Sequence, residues 1–286
     1  PPILNPDVYL NYLLPSVASE YELNRNVNLA TLGALIWDIL SSIPSDCRLI
    51  RIGKAPVVSF AYFIARPASM VMVLLAVLLV TGPVSHCGAI SVGIVTCQVT
   101  SSAAAAYLFL KRVHAVYFAN KVFQHIFSFL WLVGVGTSCA VFAGAYHTSL
   151  EIADTKHCIR HEGRSALSVA FMDPVLFDTL VYFAITYKIL VTHSRGGGWR
   201  ALCDGSALPH FSRAVLQGGQ LYYLITIGIN LTRFAFSLSP SASPTLQVIL
   251  SSPAVSLASV MACKVHRDLI IESVDNSSGG SRSERR

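Results

Sequence analysis

Charged residues are scarce in this chain of 286 residues. They make up 13% of it, about half of the roughly 25% that is typical of soluble domains, whereas hydrophobic residues make up 53%. No separate soluble domain fits this composition. Acidic residues are fewer than basic ones, with 15 aspartates and glutamates against 21 lysines and arginines, so the formal net charge is +6. We attribute the positive charge to lysines and arginines beside the membrane, which set the topology and are attracted by anionic lipid headgroups. We expect no nucleic-acid partner.

Long polar stretches are also missing from most of the chain, because apolar segments fill it. A hydrocarbon core of about 30 Å needs roughly 20 apolar residues in a helix. Seven segments meet that length, at 24–43, 56–82, 88–110, 122–146, 167–191, 219–238 and 245–264. The first is the weakest, because Asp38 and several hydroxyl residues dilute it, so six spans are an alternative. The sequence therefore predicts an all-α, polytopic membrane protein, with a seven-transmembrane helix bundle over 1–267 and a disordered cytoplasmic tail at 268–286.

The basic residues between these segments fall on alternate connections. Fifteen of the 21 lie in or beside 44–55, 111–121, 192–218 and the segment after 264, four lie on the opposite side, and two lie within the apolar segments. Short loops rich in lysine and arginine stay in the cytoplasm. We therefore predict that the amino terminus is outside and the carboxyl terminus inside. The chain is expected to cross the lipid bilayer several times, with the plasma membrane favoured over an endomembrane.

Seven cysteines are present, and two of them occupy the predicted outer face. Cys87 lies just before the third segment, and Cys158 lies in the longest outer loop, where the oxidising side of a membrane permits a disulfide. We predict a disulfide between them, with two unpaired thiols as the alternative. His157 and His161 beside Cys158 also offer zinc ligands, but a metal-bound thiolate cannot also be oxidised. We expect neither a metal nor any other cofactor.

Ionisable residues inside the apolar segments are costly and usually face the bundle interior or a watery cavity, and four of them are candidates for polar networks. They are Asp38, Arg66, Asp178 and Arg233. Asp38 and Arg66 lie at similar depth on adjacent antiparallel helices and can pair. Asp178 lies near mid-depth in the fifth segment, and Arg233 lies one turn from Asn230 in the sixth, which makes these three a second candidate network. Static interhelical locks are favoured over a bistable or ligand-binding network.

The third apolar segment is expected to lie at the centre of the bundle. Small residues from 101 to 106 allow another helix to approach closely, and Lys111 and Arg112 follow at the predicted inner interface. Arg112 is a candidate cytoplasmic switch. The commoner alternative is that both cations are snorkelling anchors, which obey the positive-inside rule and do nothing else.

Several short motifs resemble those of one family. They are Trp37-Asp38-Ile39-Leu40, Ala65-Arg66, Arg112-Val113-His114-Ala115-Val116-Tyr117, Leu176-Phe177-Asp178-Thr179 and Gly219-Gln220-Leu221-Tyr222-Tyr223. With them the chain resembles the receptor-like seven-transmembrane integral membrane proteins of mushroom-forming (basidiomycete) fungi, which carry a domain of unknown function over their first spans. This chain has His114 where that family usually has a tyrosine. The resemblance implies a receptor-like seven-helix fold and supplies no established activity.

Three classes of function can be compared on these observations. The topology, the outer cysteines and the basic inner loops favour a receptor-like protein that senses a small molecule or lipid and signals to a cytoplasmic protein. A small-solute transporter or channel is the alternative, although no inverted repeat or recurring helix break is visible. A retinal-based pump is excluded because no lysine lies between 243 and 263. Asp38 and Asp178 lie inside the segments without an aspartate-rich motif beside them, and we expect no enzymatic activity.

Overall fold

The fold consists mainly of long helices. The computed structural model describes residues 15–52, 56–84, 86–140, 149–151, 157–160, 164–193, 220–239 and 249–283. Within these residues the helices are α1 (Pro15–Ile52), α2 (Pro56–Thr81), α3 (Cys87–Val116), α4 (Lys121–Ala140), α5 (Arg164–His193), α6 (Gln220–Leu238) and α7 (Ser251–Ser283). Two short strands, β1 (Ser149–Glu151) and β2 (Cys158–Arg160), form an antiparallel hairpin between α4 and α5. The predicted all-α class is confirmed for the described residues, and the hairpin is an addition to it.

Several helices have the length and surface of membrane helices. Among the described residues, four are long and apolar enough to cross a membrane, namely Pro15–Arg51, Val57–Thr81, Cys87–Val116 and Lys121–Cys139. The apolar part of α6, Tyr223–Leu238, is shorter. Large apolar side chains point outward from the helices, with Trp37 75% exposed and Phe60 67% exposed. Exposed apolar surface of this extent suits contact with lipid better than contact with water, and these features indicate a helical membrane protein.

Helix α1 is much longer than the apolar segment that predicts it. The sequence indicates a span over 24–43 followed by a loop, but α1 continues through Pro44 to Ile52. Pro44 has no N–H to bond the carbonyl of Leu40, so it weakens the helix at this point without ending it. The extension keeps Asp46 on the helix, two turns beyond Asp38. Because α1 is longer than predicted, Asp46 becomes part of one candidate site.

Helix α7 also differs from the prediction. The sequence predicts a disordered tail from 268, whereas the structure continues α7 to Ser283. Ile270 packs against the hydrophobic core, and that contact favours continuation of the helix. The predicted end of the fourth span at 146 and the predicted start of the seventh at 245 lie outside the described residues.

Helix α3 is central, as the small-residue run predicts. It packs against α2, α4, α5 and α7. Two side chains also bond across helices in its small-residue region: the hydroxyl of Ser101 donates to the carbonyl of Ala65 at 3.0 Å, and the indole N–H of Trp131 donates to the carbonyl of Ala103 at 3.1 Å. Close approach of backbones makes both bonds possible.

The buried core has two parts, one toward each end of α3. We call the end with the α2–α3 turn the outer end and the end with the α3–α4 turn the inner end, following the predicted orientation. The outer part contains buried residues of α2 and α3 together with both cysteines of the predicted disulfide. The inner part contains Tyr62, Phe109 and Tyr223, among other large side chains. The candidate sites lie within or beside these two parts.

Candidate functional site

The outer end is fastened by the two predicted cysteines. Cys87 at the start of α3 and Cys158 on β2 lie at disulfide-bonding distance, with their Cα atoms 5.7 Å apart. The Tyr21 hydroxyl, on the first turns of α1, donates to the carbonyl of Val80 at 2.9 Å and lies 3.2 Å from the carbonyl of Cys158. The start of α1, the end of α2, the start of α3 and the hairpin are therefore linked at one point.

Cys158, the candidate zinc ligand at this end, lies against another cysteine. The sulfur of Cys158 lies at bonding distance from that of Cys87. Cysteine binds a metal as the thiolate, and a disulfide-bonded sulfur is no longer a thiolate. Within the described ranges, no group of three or more histidine, cysteine or acidic side chains is arranged to hold a metal ion. His161 lies outside those ranges.

The first predicted pair lies between α1 and α2. Nη2 of Arg66 is 3.1 Å from Oδ2 of Asp38, although the geometry between these two atoms does not make a hydrogen bond. At this distance the charges still attract strongly, because Coulomb attraction does not depend on hydrogen-bond alignment. The Arg66 side chain is only 6% exposed, so the nearby carboxylate compensates a cation that is almost out of contact with solvent.

Asp46 is the main residue that the sequence did not predict for this site. Its carboxylate lies 3.1 Å from Nη1 of Arg66 on α2 and 3.3 Å from Nη1 of Arg267 on α7. It also accepts hydrogen bonds from the hydroxyls of Tyr62 and Ser42. One carboxylate therefore joins three helices near the inner end. We call Asp38, Asp46, Arg66 and Arg267 the Asp46 network.

A signal for the Asp46 network was present in the sequence. Residues 38, 42 and 46 are spaced four apart, which places them on one face of a helix, and each carries a polar side chain. The apolar segment ends at 43, however, and this boundary assigned Asp46 to a loop. Arg267 likewise follows the last predicted span, among the basic residues at that end. Hydropathy marks where lipid contact ends, and these helices continue beyond that point.

The second predicted network lies between α5 and α6. Nδ2 of Asn230 donates to Oδ2 of Asp178 at 2.9 Å. Arg233 is one turn further along α6, and all three side chains are buried. The structure therefore brings together Asp178 and Asn230 by a direct bond, and places Arg233 beside them on the same cavity wall.

These three side chains line a cavity of about 60 Å³ between α3, α4, α5, α6 and α7, which we call the central cavity. Much of its remaining wall is apolar or small, and it includes Phe109, Trp131 and four residues of the small-residue run, Ser102, Ala103, Ala105 and Ala106. A water molecule needs roughly 10–15 Å³ of such volume, so the cavity has room for about four to six. A few converging polar groups on an apolar wall are typical of small-molecule sites.

Arg112 contacts a neighbouring helix at the inner end of α3. Its guanidinium carbon is 5.3 Å from the ring centre of Tyr223 on α6, and its Nη1 is 3.5 Å from the Tyr223 hydroxyl. The ring of Tyr223 packs on Phe109, with 4.6 Å between ring centres. Because Phe109 also lines the central cavity, packed side chains connect that cavity to Arg112 without a break.

A second cavity, of about 200 Å³, lies at the inner end, and we call it the inner cavity. Its polar lining consists of Lys111, Arg112, Tyr223 and His266, and the rest of its wall comes from apolar residues of α2, α3 and α7. Phe109 lines both cavities. Sequence inspection did not predict this cavity, because it depends on how the inner ends of four helices are rotated toward one another.

No protein-family model matches this chain, and no curated protein matches it either. The resemblance to the receptor-like proteins of basidiomycete fungi therefore stays a prediction, based on short motifs. Function has to be inferred from the geometry of the two cavities and the two polar networks.

Proposed function

We propose that the chain is a receptor-like membrane protein of seven spans, in which a small amphipathic molecule binds in the central cavity and the cytoplasmic end responds. The observation that carries this proposal is the patch formed by Asp178, Asn230 and Arg233 in a mostly apolar cavity between five helices. Ionisable groups at membrane depth are costly and usually mark a ligand or ion path. The outward amino terminus, the plasma-membrane location and membership of the fungal family belong to the same proposal.

The polar patch indicates what kind of ligand the central cavity would accept. A carboxylate at Asp178 accepts hydrogen bonds, and a guanidinium at Arg233 donates them. The polar end of the ligand should therefore carry both a donor and an acceptor, as an amide or a hydroxylated group does. Its apolar part would pack on Trp131 and Phe109. At about 60 Å³, the cavity admits only a few non-hydrogen atoms unless the helices move apart.

The side chains between the two cavities offer a route for the response. A ligand that displaces Phe109 would change its packing on Tyr223, and thereby the contact between Tyr223 and Arg112. The ligand must bind one helix arrangement better than the other, since only differential affinity shifts an equilibrium. A cytoplasmic signalling protein would then recognise the changed inner end.

The proposal is for a non-enzymatic protein. Paired carboxylates on facing helices would be needed for general acid–base chemistry. Here Asp38 lies beside Arg66 on α2, whereas Asp178 accepts a hydrogen bond from Asn230 on α6. The two carboxylates thus belong to separate networks. A small-solute transporter or channel is the alternative.

Ligand-dependent labelling tests the proposal. A single cysteine is introduced as Ala115→Cys at the inner end of α3 or as Leu224→Cys at the start of α6, in a protein whose unpaired cysteines are replaced by serine. Fungal metabolites and lipids are then screened for a change in the labelling rate. We expect at least one small amphipathic molecule to change it. Asp178→Asn should weaken that effect roughly tenfold, because it removes a charge-assisted hydrogen bond while keeping the shape.

The matched control is Asp268→Asn, which neutralises a carboxylate that is 57% exposed and does not line the central cavity. It should leave the ligand response unchanged. If no compound alters labelling and the protein in liposomes instead carries a coupled solute or ion flux, the receptor hypothesis is wrong and the transporter alternative replaces it.

A further inference from the structure

We propose that the inner cavity is a binding site for a phosphate monoester, carried either by a lipid of the inner leaflet or by a soluble ester. This inference rests on the seven-span orientation proposed above, but it needs no ligand in the central cavity. Four observations support it: the sign of the charges, an unpartnered ring nitrogen, the volume of the cavity and its apolar wall.

The charged side chains at this cavity are cationic. Lys111 and Arg112 both line it, and no acidic residue is among the described residues of its wall. A phosphate monoester carries a charge of about −1.5 to −2 at neutral pH and three acceptor oxygens, so it matches two neighbouring cations better than a carboxylate does. The planar fork of an arginine can also donate to two phosphate oxygens at once.

His266 supplies an independent indication of a ligand. Its Nε2 atom is buried and makes no hydrogen bond to the residues that the structure describes, and His266 lines the inner cavity. Buried polar atoms in folded proteins almost always have a partner. If the His266 side chain turns toward the cavity in the tautomer with a proton on Nε2, this atom would donate to a phosphate oxygen, beside the donors from Arg112 and the hydroxyl of Tyr223.

The volume and the remaining wall fit an amphipathic ester. The inner cavity measures about 200 Å³, room for more than ten water-sized spheres at roughly 10–15 Å³ each, and therefore for a phosphate group and a few further atoms. Val58, Leu108 and Leu269 form part of its apolar wall. The phosphate would lie against the cations while the glycerol and acyl part of a lipid packs on that wall. Basic pockets between helices at the cytoplasmic side bind lipid headgroups in other membrane proteins.

Binding to the purified full chain in phosphatidylcholine nanodiscs tests this site. One arm titrates glycerol phosphate by calorimetry, and the other adds phosphatidic acid to the nanodiscs and detects bound lipid by native mass spectrometry. We expect binding in at least one arm, and Arg112→Gln should weaken it roughly tenfold or more, because a charge-assisted hydrogen bond is lost. Binding in the first arm identifies a soluble ester as a sufficient source, and binding in the second arm alone identifies the lipid.

Two further variants separate the site from charge in general and from misfolding. Lys121→Gln removes an exposed cation at the same end, outside the inner cavity, and should leave binding unchanged. Ala115→Trp fills the rim of the cavity from an exposed position without altering any charge, and it should abolish binding even if Arg112→Gln fails to fold.

The site does not exist if neither probe binds, or if Ala115→Trp binds as tightly as the parent protein. Equal weakening by Lys121→Gln and Arg112→Gln would likewise show a diffuse surface effect and overturn the proposal. None of these results bears on Asp178 or the central cavity, so failure here is distinguishable from failure of the proposed function.

Discussion

Asp46→Asn is expected to destabilise the protein substantially, because Asp46 is shared by two arginines. Nη1 of Arg66 lies 3.1 Å and Nη1 of Arg267 lies 3.3 Å from its carboxylate. Asparagine keeps the volume and can still accept from the Tyr62 hydroxyl, so the substitution removes mainly charge. Arg66 keeps Asp38 at 3.1 Å. Arg267 is left with Asp268, which is 3.8 Å away.

The magnitude follows from burial. Removing one partner of a buried ion pair costs roughly 3–5 kcal/mol. The Arg66 and Arg267 side chains are 6% and 10% exposed, and Asp46 is 20% exposed, so the lower end of that range applies and we expect about 3 kcal/mol. At about 2–4 °C per kcal/mol for a chain of this size, Tm should fall by about 6–12 °C.

The assay uses a cysteine that is already inside the bundle. Cys263 on α7 is fully buried and unpaired, so a thiol-reactive fluorogenic dye reaches it only when the bundle opens. The other unpaired cysteines are replaced by serine in the parent protein, and the disulfide is kept. The dye signal is then followed during heating in detergent, for the parent protein and for Asp46→Asn.

Asp268→Asn is the matched control for the Asp46 network. It makes the same chemical change next to the same arginine, but Asp268 is 57% exposed, and exposed pairs contribute only about 0–1 kcal/mol. Its Tm should therefore stay close to that of the parent. If both variants lower Tm equally, or if neither does, Asp46 does not hold the three helices together.

Two further predictions concern the outer end. Cys87→Ser should cost about 2–4 kcal/mol of stability, because a link across a separation of 71 residues is lost. A reducing agent should lower Tm of the parent by the same amount and leave Tm of this variant unchanged. If the reduced parent melts at an unchanged temperature, the link does not exist. Tyr21→Phe should cost about 1 kcal/mol by removing the bond to Val80, whereas Tyr187→Phe, at an exposed position, should melt like the parent.

The apolar part of each described helix could be predicted from the sequence, because membrane thickness sets the length of an apolar segment, whereas the ends of α1 and α7 could not. The pairing of Asp38 with Arg66 was also predictable, because residues at equal depth on adjacent antiparallel helices can face each other. Asp46 was missed because the end of an apolar segment is not the end of a helix. Packing near Pro44 and beyond decides where α1 stops, and hydropathy carries no information about that packing.

The rotation of each helix about its own axis could not be predicted from hydropathy either. The contact of Arg112 with Tyr223, and the position of Phe109 between two cavities, depend on which face each helix turns inward. Nearly every face of a membrane helix is apolar, so the periodicity that reveals the buried side of a soluble helix is weak here. The same limit applies to the inner cavity, whose polar lining comes from three helices.

Reagent accessibility at the two turns of α3 tests the central claim, a membrane bundle with its α2–α3 turn outside and its α3–α4 turn inside. Pro83→Cys and Ala119→Cys place one thiol at an exposed position of each turn, in the protein without other unpaired cysteines. With a membrane-impermeant maleimide, we expect Pro83→Cys to react in intact cells and Ala119→Cys to react only after permeabilisation. Labelling of Ala119→Cys in intact cells, with Pro83→Cys protected, would contradict the account.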